Sequence, residues 1–220
     1  MSEDENKIEE LVRGIKRPIP DDPKLISHRA IWLACMICKG CQGVRDSFCR
    51  EFKLSPTQDE MNILFLEMAL LVTAQSLGIV RERFEKQFTK TQGDKFDDFF
   101  DSNVAVPVLK VLSNIFGKEA TEIFDIYAPY EYLPIEYEED VKNNVIVQES
   151  VKDFYKIAKN TKTKEQHFAV RIRKLFEIEE ALIIHFASRF LIGLGLCLSM
   201  DAFAAVDQVD IEKLIKKLPT

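Results

Sequence analysis

Glycine and proline are both scarce in this chain, at 8 each among 220 residues. An all-β fold needs many tight turns, and those turns draw on both residue types, so a turn-rich all-β architecture is disfavoured. Histidine is scarcer still. His28, His167 and His185 are the only 3, too few for a histidine-rich metal site. The sequences that mark common chemistries are missing as well. There is no Glu-x-x-His pair of the kind that holds two irons in a helical bundle. There is no His-Glu-x-x-His zinc helix or P-loop, and no Gly-x-Ser-x-Gly elbow. Gly193-Leu194-Gly195 lacks the third glycine and the preceding strand of a dinucleotide fingerprint. These absences lean against an enzyme, and no cofactor is expected.

Positive charge is also in deficit. The 30 Lys and Arg stand against 36 Asp and Glu, a formal net charge of −6. Such a chain repels phosphate backbones at long range, so nucleic-acid binding is disfavoured. The opening stretch MSEDENKIEELVRG has neither a basic n-region nor an apolar h-region, and no secretory signal is expected. A reducing, cytoplasmic location follows as the expectation. There the 5 cysteines are thiols or ligands rather than disulfides.

What is present points to helices. Hydrophobic residues make up 46% and charged residues 30%, the balance of a soluble globular protein rather than a disordered one. Pro23 after Asp22 opens one helix. Ser55 as cap, Pro56 in the first turn and Gln58 closing a capping box open a second, running to about Phe88. Its face carries Met61, Leu64, Phe65, Met68, Leu71 and Val72. Thr163 with Gln166 caps a third, where Phe168, Ile172, Leu175, Glu179, Leu182 and Phe186 keep helical spacing. Further helices are expected over 147–158, from Val147, Val151, Phe154, Tyr155 and Ala158, and after Asp210, which ends in lysines suited to the macrodipole. Pro107 fits the first turn of another helix, with Ser102 or Asn103 as cap; a short strand over 104–109 is the alternative. The fold class is therefore all-α: an irregular bundle of about seven to nine helices, with one short strand pair as the only β structure allowed. A single domain over 1–220 is expected, with a possible boundary near 128–143, where Pro129, Pro134 and a run of charge fall.

Two apolar stretches, 62–80 and 181–206, are long enough to test against a bilayer. The first contains Glu67, and the second contains His185, Arg189 and Asp201. Ionisable groups are costly inside lipid, so both are expected to be buried helices, with no membrane span.

Cys35, Cys38 and Cys41 have the spacing of metal ligands, but the fourth cysteine of a ferredoxin run is missing, since position 45 is arginine. On a helix all three, with Cys49, fall within about 120° of arc. Residues 35 and 41 would then be about 9 Å apart along the axis, while sulfurs sharing one zinc lie within about 4 Å. A helix unbroken at Gly40 makes these cysteines packing residues; a break at Gly40 or Gly43 restores the metal reading, and a redox pair is the third possibility.

Glu67, His185 and Arg189 each interrupt an apolar run, and a buried charge needs a partner. Either they converge on a pocket that binds a ligand or does acid–base work, or they pair off structurally. Two surface segments are candidates for partner binding. Residues 127–140 hold Tyr127, Tyr130, Tyr132 and Tyr137 among five acids, a composition suited to an interface, although the rings could instead pack on their own bundle. Residues 156–174 are basic, with Lys162, Lys164, Arg171 and Arg173 the prominent members. The expected function is a non-enzymatic protein–protein interaction, regulatory or adaptor role, with another protein or a second copy as partner. The alternatives are a ligand-binding or catalytic bundle on Glu67, His185 and Arg189, and a cysteine-ligated metal protein.

Overall fold

Pro23 opens α1 (Pro23–Glu51), as its fixed φ and missing N–H suit a first helical turn. The computed structural model describes residues 23–85, 93–133 and 163–203. The described part is mostly helical and contains no strand. Six continuous helices occupy it. After α1 come α2 (Gln58–Glu85) and α3, over 93–116. Helix α3 joins Gly93–Phe100, a π-helical turn at Asp101–Ala105 and Val106–Phe116. They are followed by α4 (Ala120–Tyr132), α5 (Lys164–Ile172) and α6 (Glu180–Ala202), the last with a π-helical turn at Ala187–Ile192. Six is below the seven to nine expected. The helices expected over 147–158 and after Asp210 lie outside the described residues, as does most of the possible boundary near 128–143.

Local signals account for the ends of several helices. The Ser55–Gln58 capping box is displaced: Thr57 is the cap. The Glu60 N–H donates to Thr57 Oγ1 at 3.3 Å, and the Thr57 N–H donates to Glu60 Oε2 at 2.7 Å. Both Ser55–Gln58 and Thr57–Glu60 fit the spacing of a capping box, and the Thr57–Glu60 pair is the one formed. Thr163 caps α5 as expected, accepting from the Gln166 N–H at 3.2 Å. Gly117 ends α3 at φ +60°, a left-handed position that glycine reaches without a Cβ clash. At Pro107 the expected new helix with its own cap is instead the continuation of α3. Proline cannot donate to the fourth carbonyl behind it, and the π-helical turn just ahead absorbs the misfit while Asn103 Nδ2 donates to Phe99 O at 2.9 Å.

One expected helix is split. The stripe from Phe168 to Phe186 reads as continuous, yet the chain leaves the helix after Ile172 and re-enters it at Glu180. Phe176 is buried in the turn, so α6 doubles back against α5 rather than extending it. Glu179, the polar break in the stripe, is the extended N-cap residue of α6.

Helix α2 lies at the centre, against α1, α4, α5 and α6. Every residue from Leu64 to Ala74 is buried, as expected of a helix that is apolar on all sides. Edge-on aromatic contacts tie the ends of the bundle. Phe48 of α1 meets Phe186 of α6 at 4.9 Å, and Phe84 of α2 meets Phe203 just past α6 at 5.8 Å. Such pairs add about 1 kcal/mol each beyond the area they bury. Two glycines let α6 approach its neighbours. A Cβ on Gly40 would come within 2.9 Å of Leu194, and one on Gly195 within 3.1 Å of the Val72 carbonyl. The Gly195 carbonyl accepts from Ser76 Oγ at 3.1 Å, and Arg29 Nη1 donates to Ala202 O at 2.9 Å. Arg29 thus satisfies a carbonyl that the end of α6 leaves open.

Candidate functional site

Helix α1 runs through Gly40 and Gly43 without a break, which decides the cysteine question on geometry. Cys35 and Cys41 remain about 9 Å apart along the axis and cannot share an ion. Cys38 and Cys41 are buried and Cys35 half-buried. Burial pushes all three thiols up, Cys38 to about 12. Thiols raised by burial are poor nucleophiles and poor ligands at neutral pH. Cys38 and Cys41 fill the core beside Leu33 and Ile37.

Glu67 is buried, and its two carboxylate oxygens are both engaged. Tyr130 Oη donates to Oε2 at 2.7 Å, and Arg171 Nε donates to Oε1 at 2.6 Å, with Arg171 Nη2 also in contact with Oε1. The three residues come from α4, α2 and α5, so the cluster pins three helices together. Burial and the neighbouring Glu67 charge drive the Tyr130 phenol well above its ordinary range. Burial works to lower the Arg171 value, but the hydrogen bond and charge of Glu67 outweigh it. The His167 ring stands edge-on to Tyr130 at 4.7 Å. Its Nε2 is buried with no hydrogen-bond partner. Burial, with Arg171 and Lys174 nearby, lowers its pKa to about 4. The imidazole is neutral at neutral pH and cannot serve there as an acid–base group poised near 7.

Of the three residues proposed to share a pocket, only Glu67 is internal. His185 and Arg189 are exposed on α6, and the Arg189 guanidinium lies over the Phe190 ring, 5.3 Å from its centroid. The pocket expectation is corrected on this point: the partners of Glu67 are Tyr130 and Arg171, not His185 and Arg189. The partner-binding candidates change too. Tyr127 and Tyr130 are buried in α4 and offer no docking surface, because this half of α4 packs on α2. Lys164 is buried at the start of α5, and Arg171 is committed to Glu67. Arg173 stays exposed and bonds Glu180 at 2.9 Å. Tyr132 belongs to α4, while Tyr137 and Lys162 lie outside the described residues.

Sequence reasoning missed Tyr130 and Arg171 as the partners of Glu67, and His167 as their neighbour. One signal was available: Phe168 and Ile172 mark the buried side of α5, and Lys164, His167 and Arg171 follow at the three- and four-residue spacing of a shared face.

Two surfaces remain. A groove of about 260 Å³ between α3 and α4 is lined by Val106, Leu109 and Phe124, with Lys110 and Asp125. That lies just below the roughly 300–1,000 Å³ of ordinary ligand pockets. The second is the outer side of α6. Its inner side packs through Ile183, Phe186, Ala187, Leu191, Leu198 and Ala202. Its outer side leaves Leu182 49%, Phe190 38%, Leu196 46% and Met200 53% exposed. Both α2 and α6 are long and apolar enough to cross a membrane; α2 is mostly buried within the bundle, and α6 about one third buried. Comparison of the chain with models of known protein families, with curated proteins and with solved structures finds no match.

Proposed function

We propose that this chain is a non-enzymatic helical interaction protein that works through the outer side of α6. The observation that carries the reading is the row of four large apolar side chains, Leu182, Phe190, Leu196 and Met200, left in solvent along one helix. Single exposed apolar residues are ordinary, but four on the open side of one helix, with only His185 and Arg189 as exposed polar groups between Leu182 and Phe190, mark a contact surface. The polar chemistry of the interior supports the same view. Glu67, Tyr130 and Arg171 satisfy one another, which is what a structural lock does.

A lipid bilayer is the rival occupant, favoured by the length of α6. Against it, Arg189 stands among the exposed side chains and the next charge is Asp201. The uncharged run between them is about 16 Å long, half the roughly 30 Å of a hydrocarbon core. An aqueous location follows from this reading.

The test compares the intact chain with Leu196→Glu. Because Leu196 is half exposed, the variant keeps its unfolding midpoint, and it loses the associations of the parent in light scattering and affinity capture. A variant that retains every association refutes the reading. Flotation of the parent with phosphatidylcholine vesicles, abolished in the variant, moves the surface to the lipid alternative.

A further inference from the structure

We infer that the partner of this surface is a second copy of the chain, docked antiparallel across a two-fold axis level with residue 195; the inference rests on the reading of α6 as a contact surface. In an antiparallel pair of identical helices, residues equidistant from the axis meet. Arg189 and Asp201 stand six positions either side of residue 195, Phe190 and Met200 five, and Gly193 and Cys197 two. All six project from the outer side of α6, and five of them are exposed, Gly193 being half-buried. The pairing therefore sets a base of one copy against an acid of the other at both ends. Inside these it sets an aromatic ring against a thioether, a favourable sulfur–aromatic contact. At the centre it seats a small thiol against a glycine. A Cβ added at Gly193 would meet nothing within 4 Å, so the site is open to an incoming side chain. Leu196 lies one position from the axis, so position 196 of one copy lies level with Leu194 of the other at the middle of the pairing.

Self-complementarity of this kind is what an isologous interface requires. An unlike partner needs no such mirror order along the helix. A parallel pairing puts Arg189 on Arg189 and Asp201 on Asp201, like charge on like charge. Neither Arg189 nor Asp201 makes an ion pair among the described residues, so both are available for the ends of the interface. The strip from 189 to 201 is about 18 Å long. It buries less than the roughly 800 Å² per partner of a standard interface, which makes the pairing reversible rather than permanent.

Sedimentation velocity of the full chain, from about 1 to 100 µM, tests the pairing, in the range set by an interface below standard size. The parent shows a concentration-dependent monomer–dimer equilibrium. Arg189→Asp and Asp201→Arg each place like charges at both ends and weaken self-association on the order of tenfold. Mixed one to one, the two variants recover a dimer, because the mixed pair again opposes acid and base at both ends. Leu196→Glu, at the centre, abolishes dimers in every mixture. Both charge positions are exposed, so the far-UV circular dichroism of the parent is retained. Weakening in each single variant followed by recovery on mixing marks the antiparallel register, because a parallel parent would already oppose like charges at both ends; absence of either result overturns the inference. A parent that stays monomeric at the highest concentration also overturns it. In that case Leu196→Glu separates the two ideas. If the variant loses a heterologous partner that the parent captures, only the self-pairing fails; if the two chains behave alike, the contact-surface reading fails with it.

Discussion

Arg171→Ala should be more damaging than Glu67→Gln, although the two residues form one ion pair. The asymmetry follows from exposure. Glu67 is 2% exposed and Arg171 35%. With Arg171 truncated, the carboxylate stays sealed between α2, α4 and α5 with Tyr130 as its only partner. Leaving one member of a buried pair uncompensated costs about 3–5 kcal/mol. With Glu67 made an amide, the guanidinium can turn toward water, and the amide oxygen still accepts from Tyr130. The loss is then closer to one charged hydrogen bond, about 1–2 kcal/mol. The double variant no longer contains a buried charge, so it should resemble Glu67→Gln rather than the sum of the singles, a coupling of about 2–3 kcal/mol. Urea unfolding of the full chain followed by far-UV circular dichroism reads all four proteins, provided the m-values agree. Equal costs for the two singles, or a strictly additive double variant, would refute the argument that Glu67 is the sealed member of the pair.

Other outcomes follow from single features. His167 is held neutral, with its pKa near 4 against an ordinary 6.5. As the pH falls from about 6.5 to 4 the unfolded chain takes up a proton that the folded chain refuses, so stability drops by about 3 kcal/mol; His167→Gln should remove that part of the slope in urea melts at stepped pH. Gly195→Ala should destabilise by about 1 kcal/mol or more, since its Cβ meets the Val72 backbone, a clash that outweighs the gain in helix propensity. Gly43→Ala, with open space around it, should instead stabilise by about 0.5–1 kcal/mol. A smaller or equal effect at 195 than at 43 would mean that α6 does not cross α2 at this point. Thr57→Ala should cost about 1 kcal/mol through loss of the cap, measurable in the same melts. Among the described cysteines, Cys197 is the exposed one, and it should react first with a maleimide under native conditions. Labelling of Cys41 ahead of it would contradict the packing of α1.

The legible part of this protein is local. Pro23, Thr163 and the long apolar run of α2 placed helices because caps and local composition act within a few turns of the chain. The Thr57–Glu60 box was misplaced by two residues, since serine, threonine and proline compete for the same role in a short stretch. The break between α5 and α6 was not legible. Residues 173–179 contain neither glycine nor proline, and Phe176, four residues after Ile172, keeps the helical spacing even though it is buried in the turn.

By itself, the sequence determined that the chain is helical, that Glu67 falls in an apolar run and so needs a partner, and that Cys35, Cys38 and Cys41 line one side of α1. Each of these depends on residues close in sequence, through the helical repeat. Only the tertiary structure decided which groups meet. Arg171 lies 104 residues from Glu67, and no periodicity links them; their pairing follows from α5 packing on α2. The same packing turned Tyr127, Tyr130 and Lys164 inward and left His185, Arg189 and Asp201 outside. An apolar helix shows its composition in the sequence, but which of its sides stays wet depends on the neighbours it meets. For α2 those neighbours close around it, and for α6 they cover one side only.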